Sequence, residues 1–285
     1  MVKCIASDMD GTLLNSQGII SENNKQAIQL AKAKGIEFLI ATGRSWEEAR
    51  YVLDKEDIDC AVICVNGAEI RSRKGDILYS IGLDGETAEK VAQVFDEVGM
   101  YYELYTPEGT LSADEALGVQ SLVDIYHTAN PSEDIDKIRD SVKRRFTHSS
   151  LRIVDQYKKI FQAKDCQIYK FLAFSMNEDL LLKVSERLKN IEGIEVTSSG
   201  RHNIEVGHRE AQKGIALKKW TEILGISLQD TMAIGDNYND LSMFERVGHS
   251  FAMGNAEPAI KEVCRYTTDT NLEDGVAKAI KTLIE

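Results

Sequence analysis

The chain has 285 residues, 43% of them hydrophobic and 28% charged, which indicates a folded protein with the length of two domains. Its formal net charge of −12 argues against nucleic acid and does not favour an anionic membrane surface, because both attract clustered Lys and Arg. The cysteines are odd in number and form no CxxC pair, which indicates free thiols in a reducing compartment. No apolar run has the length of a membrane span, and Ser7 and Asp8 interrupt the first apolar stretch too early for a signal peptide. We therefore expect a cytoplasmic protein.

The first part of the chain alternates predicted strands and helices. One helix is predicted to begin after Ser21 and end before Gly35, and another to begin at the capping box Ser45–Glu48. Short apolar runs predict three strands, at residues 2–6, 36–41 and 61–65. This alternation is typical of βαβ units around a parallel sheet.

The pattern changes after Gly67. Residues 69–80 are predicted to form a hairpin, and residues 83–207 mix helices and hairpins without a regular βα alternation. Helices are predicted there at residues 87–97 and 179–188, and strands at 101–106, 110–113, 168–174, 195–198 and 203–206. Helices segregated from hairpins are typical of a small α+β domain.

The alternation returns near residue 210. Helices are predicted at residues 211–224, 239–247 and 275–284, and strands at 231–234 and 249–253. We therefore predict an α/β fold: a Rossmann-like, doubly wound parallel-sheet core of residues 1–82 and 208–285, into which an α+β domain of residues 83–207 is inserted.

Polar motifs follow the predicted core strands where each strand ends. Asp8 and Asp10 follow the first strand, and Asp236 and Asp240 follow a later one. Because the carboxyl ends of parallel strands share one edge of the sheet, we expect these carboxylates to converge there. Their mutual repulsion favours a hard cation, and oxygen ligands suit Mg²⁺. The alternative is a pair of carboxylates held by arginines, without a metal.

A calcium-binding loop does not fit this segment. Counted from Asp8, the sixth position is Leu13 where such a loop needs Gly, and the twelfth is Ile19 where it needs Glu. Three other groups suit a phosphate: the Thr42 hydroxyl, the Gly43 backbone and the Lys213 ammonium at the start of a helix. Taken alone, Lys213 is a weak signal, because most lysines are exposed surface residues.

The motifs Asp8-Met-Asp10-Gly-Thr-Leu, Ala41-Thr42-Gly-Arg44, Gln212-Lys213-Gly and Gly235-Asp236-Asn-Tyr-Asn239-Asp240, taken together, resemble those of the haloacid dehalogenase-like (HAD) phosphatase superfamily. Asn66-Gly67, Ala252-Met-Gly-Asn-Ala256 and Glu273-Asp-Gly-Val-Ala277 resemble its Cof-type branch, which has a large α/β cap. The resemblance covers both ends of the chain, and it implies that the inserted domain is this cap and selects the substrate.

The resemblance also implies a mechanism for hydrolysing small phosphate monoesters, such as sugar phosphates, nucleotides or phosphorylated cofactors. Asp8 is expected to be the nucleophile that forms an aspartyl-phosphate, and Asp10 the general acid and base. The implied Mg²⁺ ligands are Asp8, the Asp10 backbone carbonyl and Asp236, with Asp240 supporting them. The groups implied to hold the phosphate are the Met9 backbone N–H, Thr42, Gly43, Lys213 and Asn239.

Three other functions stay open at this point. A phosphomutase shares the aspartyl-phosphate, a phosphate-responsive regulator binds without turnover, and a receiver module gathers similar residues in about half this length. The partner of Arg44 is also open between a substrate phosphate, another anion, and Glu47 or Glu48. The sequence does not indicate an oligomeric state.

Overall fold

The computed structural model describes residues 1–129, 134–148, 151–198 and 201–284. Its strands are β1 (Cys4–Ser7), β2 (Glu37–Ala41), β3 (Ala61–Cys64), β4 (Glu69–Arg71), β5 (Ile77–Ser80), β6 (Tyr101–Thr106), β7 (Gly109–Ser112), β8 (Arg152–Ile153), β9 (Lys170–Phe174), β10 (Ile194–Thr197), β11 (Asn203–His208), β12 (Thr231–Gly235), β13 (His249–Ala252) and β14 (Tyr266–Thr267). Its α-helices are α1 (Glu22–Ala33), α2 (Trp46–Lys55), α3 (Gly85–Asp96), α4 (Glu115–Ala129), α5 (Ile135–His148), α6 (Lys158–Phe161), α7 (Glu178–Leu188), α8 (Lys213–Leu224), α9 (Leu241–Phe244), α10 (Pro258–Val263) and α11 (Gly275–Ile284).

The described chain divides into two compact units. The first consists of Met1–Ser80 and Glu210–Glu285, and the second of Ile81–Arg209. No helix in the described residues combines the length and the apolar character that a bilayer span requires.

The first unit is built around an eight-stranded sheet in the order β14-β13-β12-β1-β2-β3-β4-β5. The strands from β14 to β3 are parallel, and β4 and β5 add an antiparallel hairpin at one edge. From β1 the chain proceeds outward through β2 and β3, whereas from β12 it proceeds in the other direction through β13 and β14. The direction therefore switches between β1 and β12, which is where open α/β sheets bind ligands.

Helices cover both faces of this sheet. On one face, α8, α9 and α10 pack against the strands through a cluster that includes Leu217, Trp220, Phe244 and Ile260. Helix α1 contacts β2 and α11 instead, and a hydrogen bond from the Ala277 N–H to Asn24 Oδ1 (2.9 Å) joins α1 to α11. Strands β1, β3 and β12 are buried along their whole length, as expected of a sheet covered on both faces.

The second unit has a six-stranded sheet in the order β10-β11-β9-β6-β7-β8, antiparallel except where β7 pairs with β8. Aromatic rings fill its core, among them Phe95 of α3, Tyr102 of β6 and Phe171 of β9. A smaller apolar cluster joins α4 to α5 through Val123 and Val142. Each sheet thus has its own hydrophobic core.

The predicted α/β fold with a parallel core sheet is confirmed. The capping box at Ser45 begins α2, with the Glu48 N–H and the Ser45 N–H each bonded to the other residue's side chain. Hairpin β4–β5 and helix α11 are also where the sequence predicts them. The long helix predicted at residues 239–247 is wrong: a 3-10 turn at Tyr238–Asp240 precedes the short α9, because the Asp240 carboxylate bonds back to backbone N–H groups of its own loop.

Helix α8 depends on a close approach that requires glycine. A Cβ atom on Gly214 would lie 1.8 Å from the Ser242 carbonyl oxygen, and the Gly214 N–H donates to Ser242 Oγ (2.9 Å). We expect Gly214→Ala to lower the free energy of unfolding by about 3 kcal/mol through overpacking. Gly225→Ala is the control: Gly225 ends α8 at φ +66° with open space around it, so only backbone strain of about 1 kcal/mol is expected. Urea unfolding of both variants measures the difference, and equal losses would contradict this packing.

Candidate active site

The site lies at the switch point of the core sheet. Asp8 directly follows β1, Asp236 directly follows β12, and these two strands are neighbours. The Asp8 N–H donates to the Ile234 carbonyl oxygen (2.9 Å), which extends the strand pairing into the site. Two acidic side chains from distant parts of the sequence therefore stand side by side, as the strand-end argument predicts.

Lys213 places a positive charge inside this acidic group. It is the first residue of α8, and its side chain is fully buried. Its Nζ donates to Asp8 Oδ1 (2.6 Å) and to Asp240 Oδ1 (2.7 Å). Lys213 is therefore a buried link between two carboxylates, and the alternative of an exposed surface lysine is wrong.

Asp240 is fully buried, and both of its oxygens are bonded to the chain itself. Oδ1 accepts from Lys213, while Oδ2 accepts the backbone N–H groups of Asp236 (3.0 Å) and Asn237 (3.1 Å). Asp240 thus fixes both the lysine and the loop that carries Asp236. This bonding suits the supporting role expected from the sequence rather than direct contact with a ligand.

Asp236 is half-buried and is held from the other side of the site. Thr12 Oγ1 donates to Asp236 Oδ1 (2.8 Å). The loop after β1 can approach this closely because Gly11, at φ +80°, has no side chain; a Cβ there would lie 2.4 Å from Asp236 Oδ2. Thr12 belongs to a motif noted in the sequence, but its bond to Asp236 could not be inferred without the fold.

Burial and neighbouring charges shift the pKa values of these groups. Burial raises the pKa of Asp8 well above its usual value against the opposing effect of Lys213, and the charges of Asp240 and Asp236 raise it further. Burial also raises the pKa of Asp236, with Thr12 opposing and Asp240 adding to the effect. Burial tends to lower the pKa of Lys213, but Asp240 and Asp8 outweigh it and keep the ammonium charged. One lysine therefore does not balance the negative charge.

The donor set fits a hard divalent cation. Asp8, Asp236 and Asp240 each offer a carboxylate oxygen, and these oxygens lie within 4.8 Å of one another. Since Asp240 is occupied by Lys213 and two N–H groups, Asp8 and Asp236 are the side chains best placed to hold Mg²⁺. A cation there would also oppose both the burial and the carboxylate repulsion that raise the pKa values of Asp8 and Asp236.

The Asp10 carboxylate does not join the other three. Arg44 holds it instead: Nε donates to Oδ2 (2.8 Å) and Nη2 to Oδ1 (2.6 Å). The expectation that all four carboxylates converge is thus not met, because an exposed Asp10 side chain finds a guanidinium within reach. The protein partner of Arg44 is thus Asp10 and neither of the two glutamates considered from the sequence.

The groups predicted to hold phosphate surround the same edge of the sheet. Thr42 is buried directly after β2, and its hydroxyl accepts the Arg44 N–H (3.2 Å). Gly43 follows it, and Asn239 is exposed and donates through Nδ2 to Asn66 Oδ1 (3.0 Å). Met9 lies next to Asp8 with its side chain fully buried. Their roles as phosphate ligands stay predictions.

Asparagines brace these loops in a way that the sequence did not predict. Asn66, at φ 56°, accepts the Asn239 bond and joins the loop after β3 to the loop after β12. Asn255 Nδ2 donates to the Gly11 carbonyl oxygen (2.8 Å), and Asn255 Oδ1 accepts the Asn271 N–H (3.0 Å). The available signal was position: Asn66 and Asn255 both lie in polar motifs that follow core strands.

Known proteins resemble this chain in sequence along almost its whole length. A sequence model of the haloacid dehalogenase-like hydrolases matches residues 5–280. The chain belongs to this family. It is 37% identical over 284 residues to a Bacillus subtilis protein named 5-amino-6-(5-phospho-D-ribitylamino)uracil phosphatase YwtE, covering 99% of this chain and 98% of that protein. It is 33% identical over 287 residues to B. subtilis Phosphatase YwpJ, covering 99% and 100%.

The fold of this haloacid dehalogenase-like hydrolase also matches a solved structure. A haloacid dehalogenase-like hydrolase from B. subtilis superposes with a TM-score of 0.85 at 32% identity, over 99% of this chain and 100% of that one. The family resemblance recognised in the motifs is thereby confirmed. The prediction of a phosphatase is confirmed as well, because the curated relatives are named phosphatases.

Replacing the buried lysine tests the charge balance of the site. We expect Lys213→Met to lower the free energy of unfolding by about 3–5 kcal/mol, because it leaves Asp240 buried without its cation. Lys278→Met is the matched control: Lys278 pairs with Asp269 at the surface and should contribute less than about 1 kcal/mol. Denaturant unfolding in metal-free buffer compares the two. A loss at Lys213 no larger than at Lys278 would show that the buried pair does not hold the site together.

Proposed function

We propose that the chain is a Mg²⁺-dependent phosphatase that hydrolyses small phosphate monoesters through an aspartyl-phosphate on Asp8, with Asp10 as general acid and base. The main support is the buried group in which the Asp8 carboxylate lies 2.6 Å from Lys213 and beside Asp236. A nucleophilic carboxylate, a fixed cation and a pair of metal-binding oxygens are what phosphoryl transfer to an aspartate requires.

The chain's own residues carry out two displacements. In the first, an Asp8 oxygen bonds to phosphorus, the ester P–O bond breaks, and the leaving oxygen takes a proton from Asp10. In the second, Asp10 removes a proton from water as the water oxygen bonds to phosphorus, and the bond to Asp8 breaks to give inorganic phosphate. When bound, Mg²⁺ would supply positive charge that offsets the negative charge on the phosphate oxygens.

Lys213 can donate a hydrogen bond to the phosphate while it keeps its bonds to Asp8 and Asp240. An ammonium has three N–H donors, and Lys213 uses one on Asp8 and one on Asp240. The third donor is therefore available for a phosphate oxygen next to Asp8. Thr42, the Gly43 backbone, the Met9 N–H and Asn239 are proposed to complete the phosphate cradle.

The proposed substrates are sugar phosphates, nucleotides and phosphorylated cofactors. Two B. subtilis relatives, 37% and 31% identical to this chain, are named 5-amino-6-(5-phospho-D-ribitylamino)uracil phosphatases, and an Escherichia coli relative at 25% is named pyridoxal phosphate phosphatase. We propose the ribitylaminouracil phosphate as the first ester to test. The role of the inserted domain in selecting the substrate is part of the same proposal.

Phosphate release from a panel of these esters tests the chemistry. We expect Mg²⁺-dependent release that stops with EDTA and returns with added Mg²⁺, and a loss of at least about 1,000-fold in Asp8→Asn, which lacks the nucleophile. Asp54→Asn, an acidic residue on the exposed side of α2, is the control and should keep wild-type activity.

Other outcomes identify the rival functions. Turnover that needs added sugar bisphosphate and gives an isomeric monoester points to a phosphomutase. Ester binding without turnover in the folded wild-type chain points to a regulator. Release that persists in EDTA or in Asp8→Asn would contradict the proposed mechanism.

A further inference from the structure

The ion pair between Arg44 and Asp10 is bidentate although both side chains are partly exposed. Both carboxylate oxygens accept from the same guanidinium, at 2.6 and 2.8 Å, so the two groups meet as parallel, charge-assisted hydrogen bonds. The Asp10 side chain is 55% exposed and that of Arg44 30% exposed. Because Asp10 is so exposed, its carboxylate keeps one orientation only if the arginine that binds it is itself held in place.

The backbone of Arg44 supplies that fixed point. Its N–H donates to Thr42 Oγ1 (3.2 Å), and its carbonyl oxygen accepts the Val65 N–H (2.9 Å). The Thr42 carbonyl oxygen accepts the Asn66 N–H (2.9 Å) in the same pair of loops. The guanidinium therefore extends from the loop that carries the proposed phosphate-binding residues, and it reaches across to the loop after β1.

Pairing with Arg44 leaves lone pairs open on both Asp10 carboxylate oxygens. A carboxylate has about four lone-pair sites, and a bidentate arginine occupies only one on each oxygen. Without the arginine, an exposed aspartate rotates among several side-chain conformers in water. Since a displacement of about 1 Å in a reacting group can cost about 100-fold in rate, this freedom matters for a general acid.

We propose that Arg44 is a positioning residue that holds the Asp10 carboxyl where it can protonate the leaving oxygen and later deprotonate water. The inference rests on the proposed phosphatase function and adds to it a residue that acts through Asp10. It predicts that Arg44 matters most when the leaving group needs a proton.

Two esters separate this role from a structural one. p-Nitrophenyl phosphate expels a stable phenolate and needs little acid help, whereas an alkyl phosphate must be protonated as it leaves. In Arg44→Gln, we expect the burst of p-nitrophenolate that accompanies formation of the aspartyl-phosphate to keep its rate within about 3-fold, while the following steady state slows by about 10- to 100-fold. With the most active alkyl phosphate, aspartyl-phosphate formation itself should slow by about 10- to 100-fold with KM nearly unchanged.

Two further variants complete the experiment. Arg44→Lys keeps the charge but offers no fork of two donors, so we expect only partial recovery. Arg50→Gln removes another arginine–aspartate pair, the one with Asp54, and should leave the kinetics with both esters unchanged. Thermal unfolding of each variant shows whether the fold is intact.

The possible failures are distinguishable. Two results in Arg44→Gln would overturn the role of Arg44 while the phosphatase proposal stands. One is an equal loss in the rate of aspartyl-phosphate formation from both esters, and the other is wild-type kinetics with both. A wild-type chain that releases no phosphate from either ester would overturn the phosphatase proposal and this inference together.

Discussion

The buried ammonium of Lys213, shared between Asp8 and Asp240, is the interaction on which the rest of the site depends. A lysine without solvent contact keeps its charge only because two carboxylates lie within 2.7 Å of it. Those carboxylates in turn tolerate burial only because the lysine is there. Removing the lysine leaves two carboxylates buried without their cation, and removing either carboxylate takes away one of the two charges that keep the ammonium charged, so the three groups depend on one another.

The sheet makes this arrangement possible. Asp8 and Asp236 directly follow two adjacent parallel strands, and Lys213 begins helix α8, which packs against α9 through Gly214 and Ser242. Thr12 and Asp236, 224 residues apart in sequence, meet in a single hydrogen bond. Each side chain is therefore positioned by an element of the rigid core, which a site based on electrostatic preorganisation requires.

The sequence predicted the residues at strand ends well, because parallel topology alone brings such positions to one edge. Asp8, Asp236 and Asp240 were identified in this way, whereas Lys213 was singled out for its charge at the start of a predicted helix. The pair of Asp10 with Arg44 was not, since the orientation of an exposed side chain depends on a partner 34 residues away. The burial of Lys213 was also hidden, because burial follows from how α8 packs and not from local sequence.

The fold shows the same division between local and tertiary signals. Capping residues and hydrophobic periodicity identified α1, α2 and the hairpin β4–β5. Strands β8 and β14 have two residues each, too few for any periodicity to appear. Helix α10 was missed although Pro258 stands at its first turn, where proline is favoured, so that signal was present and not used.

The central claim is that Asp8 carries the phosphoryl group during turnover. The most direct measurement is to quench the wild-type chain during turnover of an active ester with Mg²⁺, reduce the acyl phosphate with borohydride and map the product by peptide mass spectrometry. The account predicts conversion of Asp8 to homoserine only when both ester and Mg²⁺ are present. An unmodified Asp8 during rapid phosphate release, or modification of a different carboxylate, would contradict it.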